Sequence, residues 1–240
     1  PATKEVIWYS ERDDWGHLYL YDLTNGQVKN QITKGNFVVT RVIKVDEKAR
    51  VIWFEANGRE RGRDPYFTYF YSVDFDGKNL KLLTPDDGHH QVTLSPDGRY
   101  FVDTFSKPDV PPASDLRDMN GRLVTRLEKA DVSRLAAAGW KPPTPITVKS
   151  RDGKWDLYGL MFTPTNLDRS KKYPIVNYIY PGPQGGGVGI VVQDSKNALI
   201  ANKLTSVAGG SGTVAEEIEF KVPATERIVV GTAVTNPFTR

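Results

Sequence analysis

Of the three histidines in this 240-residue chain, His17, His89 and His90, none lies in the second half, and there is no cysteine at all. Imidazole is the usual general base and a common metal ligand, so these positions bound the chemistry first. Serine nucleophiles need a histidine to activate them, a carboxylate to orient that ring, and donors for the oxyanion. No histidine follows His90. Gly209-Gly210-Ser211-Gly212-Thr213 sets a serine among glycines, but it lacks the second glycine of G-x-S-x-G and a strand-to-helix setting, so it reads as a flexible turn.

The remaining polar groupings have plain readings. His89-His90 follows Asp86-Asp87-Gly88, and imidazole and carboxylate together suit a metal. Neighbours on a strand point to opposite faces, however, so both rings do not readily reach one ion, and no metal or cofactor is expected. His17, between Trp15 and Tyr19, is expected to bond backbone. Glu216-Glu217 reads as a solvated pair entering a strand at Ile218-Glu219-Phe220. Arg59, Arg61 and Arg63 alternate with Glu60, Gly62 and Asp64; a solvated loop between strands is the first reading, a substrate or partner contact the second.

The elements that must position these groups are mostly strands. Up to about residue 130, short runs such as Val6-Ile7-Trp8-Tyr9, Leu18-Tyr19-Leu20-Tyr21, Val51-Ile52-Trp53-Phe54 and Tyr69-Phe70-Tyr71-Ser72-Val73 alternate with turn residues. Asp22-Leu23-Thr24-Asn25-Gly26 and Asp74-Phe75-Asp76-Gly77 each follow such a run and lead into another that ends at Ile32-Thr33 or Leu83-Thr84. Asp118-Met119-Asn120-Gly121 is a weaker third copy. The aspartates are 52 and 44 residues apart, within the range of a four-stranded propeller blade. A β-sandwich also uses short strands and Asn-Gly turns and stays open as an alternative. Two or three blades do not close a ring, since propellers have about four to eight. Ser95-Pro96-Asp97-Gly98-Arg99 suits a turn between two strands of one blade.

From Leu127 to Gly139 the pattern predicts a helix, stopped by Gly139 and then by Pro142, Pro143 and Pro145. Ile146 to Thr163 reads as two strands around Arg151-Asp152-Gly153-Lys154. Tyr173 to Tyr180 is a nearly continuous apolar strand, suited to a sheet covered on both faces. It runs into Pro181-Gly182-Pro183-Gln184-Gly185-Gly186-Gly187.

Composition excludes several classes. With 39% apolar residues the chain can build a soluble, globular core. Thirty-two basic against twenty-nine acidic residues leave +3, spread along the chain, so nucleic acid is not expected as a partner. The absence of cysteine removes disulfides, thiolates and cysteine-based zinc sites. No apolar run approaches the roughly 20 residues of a membrane span. Residues 1–5 contain no initiator Met or signal pattern, so the start reads as cut.

Ser10-Glu11-Arg12-Asp13-Asp14-Trp15-Gly16-His17-Leu18-Tyr19-Leu20-Tyr21-Asp22, Leu94-Ser95-Pro96-Asp97-Gly98-Arg99-Tyr100, and Lys171-Lys172-Tyr173-Pro174 through Tyr180-Pro181-Gly182-Pro183-Gln184 resemble segments of the dipeptidyl peptidase IV branch of the prolyl oligopeptidase family. The segments keep their order from about Lys4 to Gly187, and their combination is what makes the resemblance specific. It implies a mainly β chain: a partial β-propeller over 1–126, a linker helix and the first strands of a truncated α/β-hydrolase domain over 127–187, and an unassigned tail over 188–240. The tail reads as an altered reading frame, an unrelated fusion or a divergent sequence.

The same resemblance implies a serine exopeptidase that releases N-terminal dipeptides, preferably after Pro or Ala, through an acyl-enzyme. It places Tyr180 at the hydroxyl that donates to the tetrahedral oxyanion; from the residues alone, a tyrosine ending an apolar strand packs half-buried. The family's glutamate pair for the substrate ammonium belongs to an earlier part of the propeller, so Glu216-Glu217 is not its match. The family's Gly-Trp-Ser-Tyr-Gly-Gly elbow does not occur here, and this chain is expected to be inactive alone. Its expected partners are a peptide substrate in the parent enzyme and further copies of itself, joined through exposed strand edges. A noncatalytic β-rich binding module is the alternative. A periplasmic or secreted address follows only from the resemblance.

Overall fold

A computed structural model describes residues 3–173, 175–177 and 228–230, the last two stretches by their backbone. These divide between two compact units, one running to Ser106 and resuming at Pro112–Ala130, the other holding Lys107–Pro111 and the chain from Asp131. The first unit is built from three successive sheets in which each strand neighbours the next in sequence. The first sheet is β1 (Glu5–Ser10), β2 (His17–Asp22) and β3 (Gln27–Gln31). The second is β4 (Val38–Asp46), β5 (Val51–Asn57), β6 (Thr68–Asp74) and β7 (Lys81–Leu82). The third is β8 (His89–Leu94), β9 (Tyr100–Lys107), β10 (Val110–Asp118) and β11 (Leu123–Lys129).

The three aspartate turns are close copies, the first longer than the others by one residue. They join β2 to β3, β6 to β7 and β10 to β11. In each the aspartate carbonyl accepts the glycine amide, at 2.8 Å for Gly26, 2.9 Å for Gly77 and 2.8 Å for Gly121. All three glycines hold φ between 69° and 81°, a left-handed conformation that costs an L side chain roughly 1–2 kcal/mol. A threonine then closes two of the repeats. The Thr33 hydroxyl accepts the Leu18 amide at 3.0 Å, and the Thr84 hydroxyl accepts the Phe70 amide at 2.9 Å.

The turns also fasten one sheet to the one before. A Cβ on Gly77 would stand 2.9 Å from the Ile32 carbonyl oxygen, and one on Gly121 2.7 Å from that of Leu83. Glycine is required there by close backbone approach as well as by φ. Asn30 of the first sheet donates to the Phe75 carbonyl at 2.9 Å, and Arg50 bonds Glu5 at 2.6 Å.

Strand alternation sends residues to opposite faces and so makes the core. Phe70 of β6 meets Phe101 of β9 edge to face at 5.1 Å, and Leu83 and Val92 complete that cluster, with Trp53, Ile43, Leu94 and Met119 around it. Ile52, Phe54 and Tyr71 lie on the other face of the second sheet and are also shut off from solvent. Each such buried side chain contributes roughly 1.5–3 kcal/mol by leaving water.

The helix expected over Leu127–Gly139 is much shorter. β11 continues through Leu127 to Lys129 because it is paired along β10, and only Ser133–Ala137 is helical (α1). Asp131 starts it by accepting the Ser133 amide at 2.8 Å, and Gly139 ends it at φ 87° as expected.

In the second unit β12 (Thr144–Lys149) and β13 (Asp156–Met161) form the expected hairpin, with Gly153 at φ 71° in its turn. β13 pairs with β15 (Ile228–Val230), and β15 runs parallel to β14 (Ile175–Asn177). Ile175–Asn177 therefore lies in a sheet separate from the first three. Mainly β structure is what the described residues contain; among them there is neither a closed ring of sheets nor the helical layer of an α/β-hydrolase.

Candidate functional site

The densest polar grouping in the first unit is a buried chain of charges that joins the segment after β7 to the third sheet. His90, on β8, is 2.7 Å from Asp103 of β9 through Nδ1 and 2.9 Å from the Asp86 carbonyl oxygen through Nε2. The ring lies between Tyr69, at 5.2 Å, and Phe105, at 5.3 Å. The other oxygen of Asp103 accepts from Arg117 Nε at 3.1 Å. Arg117 further donates to the Asp86 carboxylate at 2.5 Å, to Asp115 at 3.2 Å and to the Gly121 carbonyl at 3.3 Å. Arg126 closes the chain from the surface, bonding both oxygens of Asp115 at 2.9 and 3.3 Å.

β10 positions the hub because Asp115 and Arg117 are two residues apart and so share its inward face with Ala113. Three carboxylates meet two guanidiniums, and charge-assisted bonds of this kind are the strong ones. Removing one member would strand another in a site where water cannot replace it.

A buried histidine–carboxylate pair is half of a nucleophile-activating system, but this one has no free end. Nε2 faces a backbone carbonyl, which only accepts, so that nitrogen carries a hydrogen and cannot take a serine proton. The arrangement is a clamp between sheets. Among the described residues no group of three His, Asp or Glu side chains is placed to hold a metal ion.

The other two histidines are likewise held in fixed bonds. His17 Nε2 lies 2.9 Å from the Gly35 carbonyl and must donate to it, leaving Nδ1 to face the Thr33 hydroxyl at 3.1 Å. Backbone bonding is what its sequence setting suggests. His89 Nδ1 accepts the Thr68 amide at 3.3 Å. Burial pushes both rings below the usual histidine range, and for His89 the neighbouring His90 adds to it. His89 and His90 thus serve separate bonds.

Of the three arginines between β5 and β6, Arg63 proves structural. It donates to the Asp86 carbonyl at 3.1 Å and the Pro85 carbonyl at 2.8 Å and lies over the Tyr69 ring at 5.2 Å. It therefore shares the Asp86 oxygen with His90, a meeting that residue spacing alone does not suggest. Arg59 pairs with Glu60 at 2.8 Å, and Arg61 is exposed.

A second grouping lies on the first sheet. The Arg12 guanidinium covers the Tyr19 ring at 4.3 Å and donates to the Tyr21 hydroxyl at 2.5 Å. Tyr19 donates to Asp13 at 2.6 Å, and burial together with that carboxylate pushes its phenol up to about 12. Trp8, opposite Tyr19 on β1, is exposed.

Tyr180, Gly209–Thr213 and Glu216-Glu217 fall outside the described residues. Residue-type reasoning about nucleophiles missed Asp103, Asp115, Arg117 and Arg126. The signal available was charge at period two, Asp115 and Arg117, on a strand with an inward face.

Comparison with known proteins gives a consistent set of relatives. Residues 1–112 match the family model described as the dipeptidyl peptidase IV (DPP IV) N-terminal region. The chain is 28% identical over 180 residues to dipeptidyl peptidase 4 of Arthroderma otae, covering 72% of this chain and 22% of that protein. It is 27% identical over 177 residues to a probable dipeptidyl-aminopeptidase B of Tuber melanosporum, covering 71% and 19%. Among solved structures, a putative dipeptidyl aminopeptidase IV from Bacteroides ovatus matches with a TM-score of 0.62 at 28% identity, covering 78% of this chain and 29% of that one. Porphyromonas gingivalis dipeptidyl peptidase 4 shares the fold, with a TM-score of 0.65 at 24% identity over 80% of this chain and 26% of that one. The chain thus spans about a fifth of the curated relatives it matches. Together these likenesses support a distant relationship to the dipeptidyl peptidases.

Proposed function

We propose that this chain is a piece of a serine-type exopeptidase that removes N-terminal dipeptides from peptides, with a preference for Pro or Ala at the second position. Its 1–126 region is part of a β-propeller, residues 127–187 hold the linker and opening strands of an α/β-hydrolase domain, and 188–240 stay unassigned. The observation that carries this reading is the repeat: three aspartate turns with the same hydrogen bonds, two of them docked on the sheet before, in a region matching the dipeptidyl peptidase IV N-terminal model. In that architecture the sheets restrict access to short peptides, and Tyr180 donates to the oxyanion.

By itself the chain carries no turnover. All three of its histidines are in residues 17–90, each with a ring nitrogen committed to a structural bond. That commitment equally favours a second reading, a noncatalytic binding module. The two separate in a dipeptidyl-chromogen assay on the purified 240-residue chain, run with isothermal titration of a proline-containing peptide. No release is expected. Release abolished by a serine-directed inhibitor would overturn the inactive reading, and peptide binding without release would favour the module.

A further inference from the structure

His90 differs from the other two histidines in what its ring meets. His17 and His89 each turn one ring nitrogen toward a donor, the Thr33 hydroxyl at 3.1 Å and the Thr68 amide at 3.3 Å, so a neutral imidazole satisfies them. Both nitrogens of His90 face oxygens that accept. Nδ1 is 2.7 Å from the Asp103 carboxylate and Nε2 is 2.9 Å from the Asp86 carbonyl. A neutral ring carries one N–H and one lone pair. Whichever nitrogen held the lone pair would set it against an oxygen, and water could not intervene, since the His90 and Asp103 side chains are 1% and 0% exposed.

The charges around the ring point the same way. Asp86, Asp103 and Asp115 face Arg117 and Arg126, so the chain of charges is short of one cation until His90 supplies it. Arg63, which shares the Asp86 carbonyl, and Asp87, at the Tyr69 hydroxyl, add one charge of each sign farther out. On β8 itself the neighbour is His89, which burial holds in its neutral form. Tyr69 and Phe105 flank the His90 ring at 5.2 and 5.3 Å, and an aromatic face attracts a cation. A proton on Asp103 instead would give up the charge-assisted bond that its other oxygen accepts from Arg117 Nε at 3.1 Å.

We propose that His90 is an imidazolium in the folded protein and forms a latch, fastening the segment after β7 to the third sheet, that opens as the pH rises. Asp86 enters the latch from that segment and Asp103 from β9, and only the doubly protonated ring holds both. Loss of one proton turns one of the two bonds into a contact between lone pairs. The folded chain thus keeps a proton that the unfolded chain sheds, so this stabilisation is complete below about pH 6.5 and is lost as alkali removes the proton. Its sign is opposite to that of His17 and His89, whose bonds are lost in acid. The inference stands on the ring's surroundings and is independent of the enzymatic reading.

The test uses the full 240-residue chain labelled with nitrogen-15, in which three histidines give few ring signals. Long-range proton–nitrogen correlation at about pH 7.5, a unit above the ordinary histidine value, is expected to show both His90 nitrogens protonated. His17 and His89 should each show one protonated and one bare nitrogen. Contacts with the ring protons of Tyr69 and Phe105 assign His90. The urea midpoint, followed from mild acid into alkali, should fall in step with loss of the second His90 proton. His90→Gln should abolish that alkaline fall, whereas a merely structural ring would lower the midpoint equally at every pH. A bare His90 nitrogen near neutral pH, or an alkaline fall that persists in His90→Gln, would overturn the proposal. The ring spectrum needs no variant, so it decides the matter even where His90→Gln does not fold.

Discussion

Arg117→Met tests whether the buried clamp holds the second and third sheets together. The substitution keeps the volume and apolar stem but removes donors to Asp86, Asp103, Asp115 and the Gly121 carbonyl. Asp115 keeps Arg126, and Asp86 is half-exposed and can be hydrated. Asp103 is the casualty: its side chain is 0% exposed and would keep only His90. Breaking a buried ion pair from one side costs about 3–5 kcal/mol, a large share of the roughly 5–15 kcal/mol by which a native domain is stable. Urea denaturation followed by tryptophan emission should show the midpoint falling with little change in slope. The double replacement Arg117→Met with Asp103→Leu should recover part of the loss, because no orphan carboxylate remains. A single-variant loss below about 1 kcal/mol would refute the reasoning, since the clamp would then be as weak as a surface pair.

Two glycines in the same turn position should respond differently. Gly121→Ala adds a clash with the Leu83 carbonyl to the cost of its φ of 81°, whereas Gly26→Ala at φ 69° meets open space. Gly26→Ala should cost roughly 1–2 kcal/mol and Gly121→Ala distinctly more by the same urea titration; equal losses would contradict docking of the turn. Stability should also fall on mild acidification. His17 and His89 titrate below their unfolded value, so their contribution is complete above about pH 6.5 and is lost as pH falls toward their lowered folded values. His17→Gln should flatten that part of the melting-temperature profile, and an unchanged profile would count against the bonds assigned to the ring. At lower pH, Glu5 adds a second loss. Arg50 and Lys29 hold its carboxyl down to about 2, so its stabilisation is present above about 4.5 and disappears on acidification toward 2. Because water reaches both cations, Glu5→Gln should cost only about 1 kcal/mol at pH 7, measured by urea titration.

Local pattern sufficed for the parts of the fold that depend on neighbours in sequence. Alternating apolar residues predict β2, β5 and β6, and an aspartate followed by a left-handed glycine predicts all three turns. The helix after Lys129 is legible only at its end: Gly139 stops it, but Leu127 joins β11 because pairing with β10 outweighs an i, i+4 apolar pattern. The clamp was less legible still. His90 and Asp86 stand near each other in sequence, yet their hub, Arg117, comes from a strand about thirty residues away. Nothing in residue type distinguishes it from a solvated arginine such as Arg61.

What the sequence by itself determined is therefore the repeat unit: strand, turn, strand, and the faces that alternation makes apolar. Those follow from backbone sterics and side-chain period, which act over a few residues. Which side chains lie between sheets was decided only by tertiary structure. Val6 and Ile52 occupy the same place in the repeat, as do Trp8 and Phe54, and their exposures differ because a neighbouring sheet covers one place and not the other. Burial is a property of what packs against a residue, and two identical positions in a repeat acquire different energetics as soon as their neighbours differ.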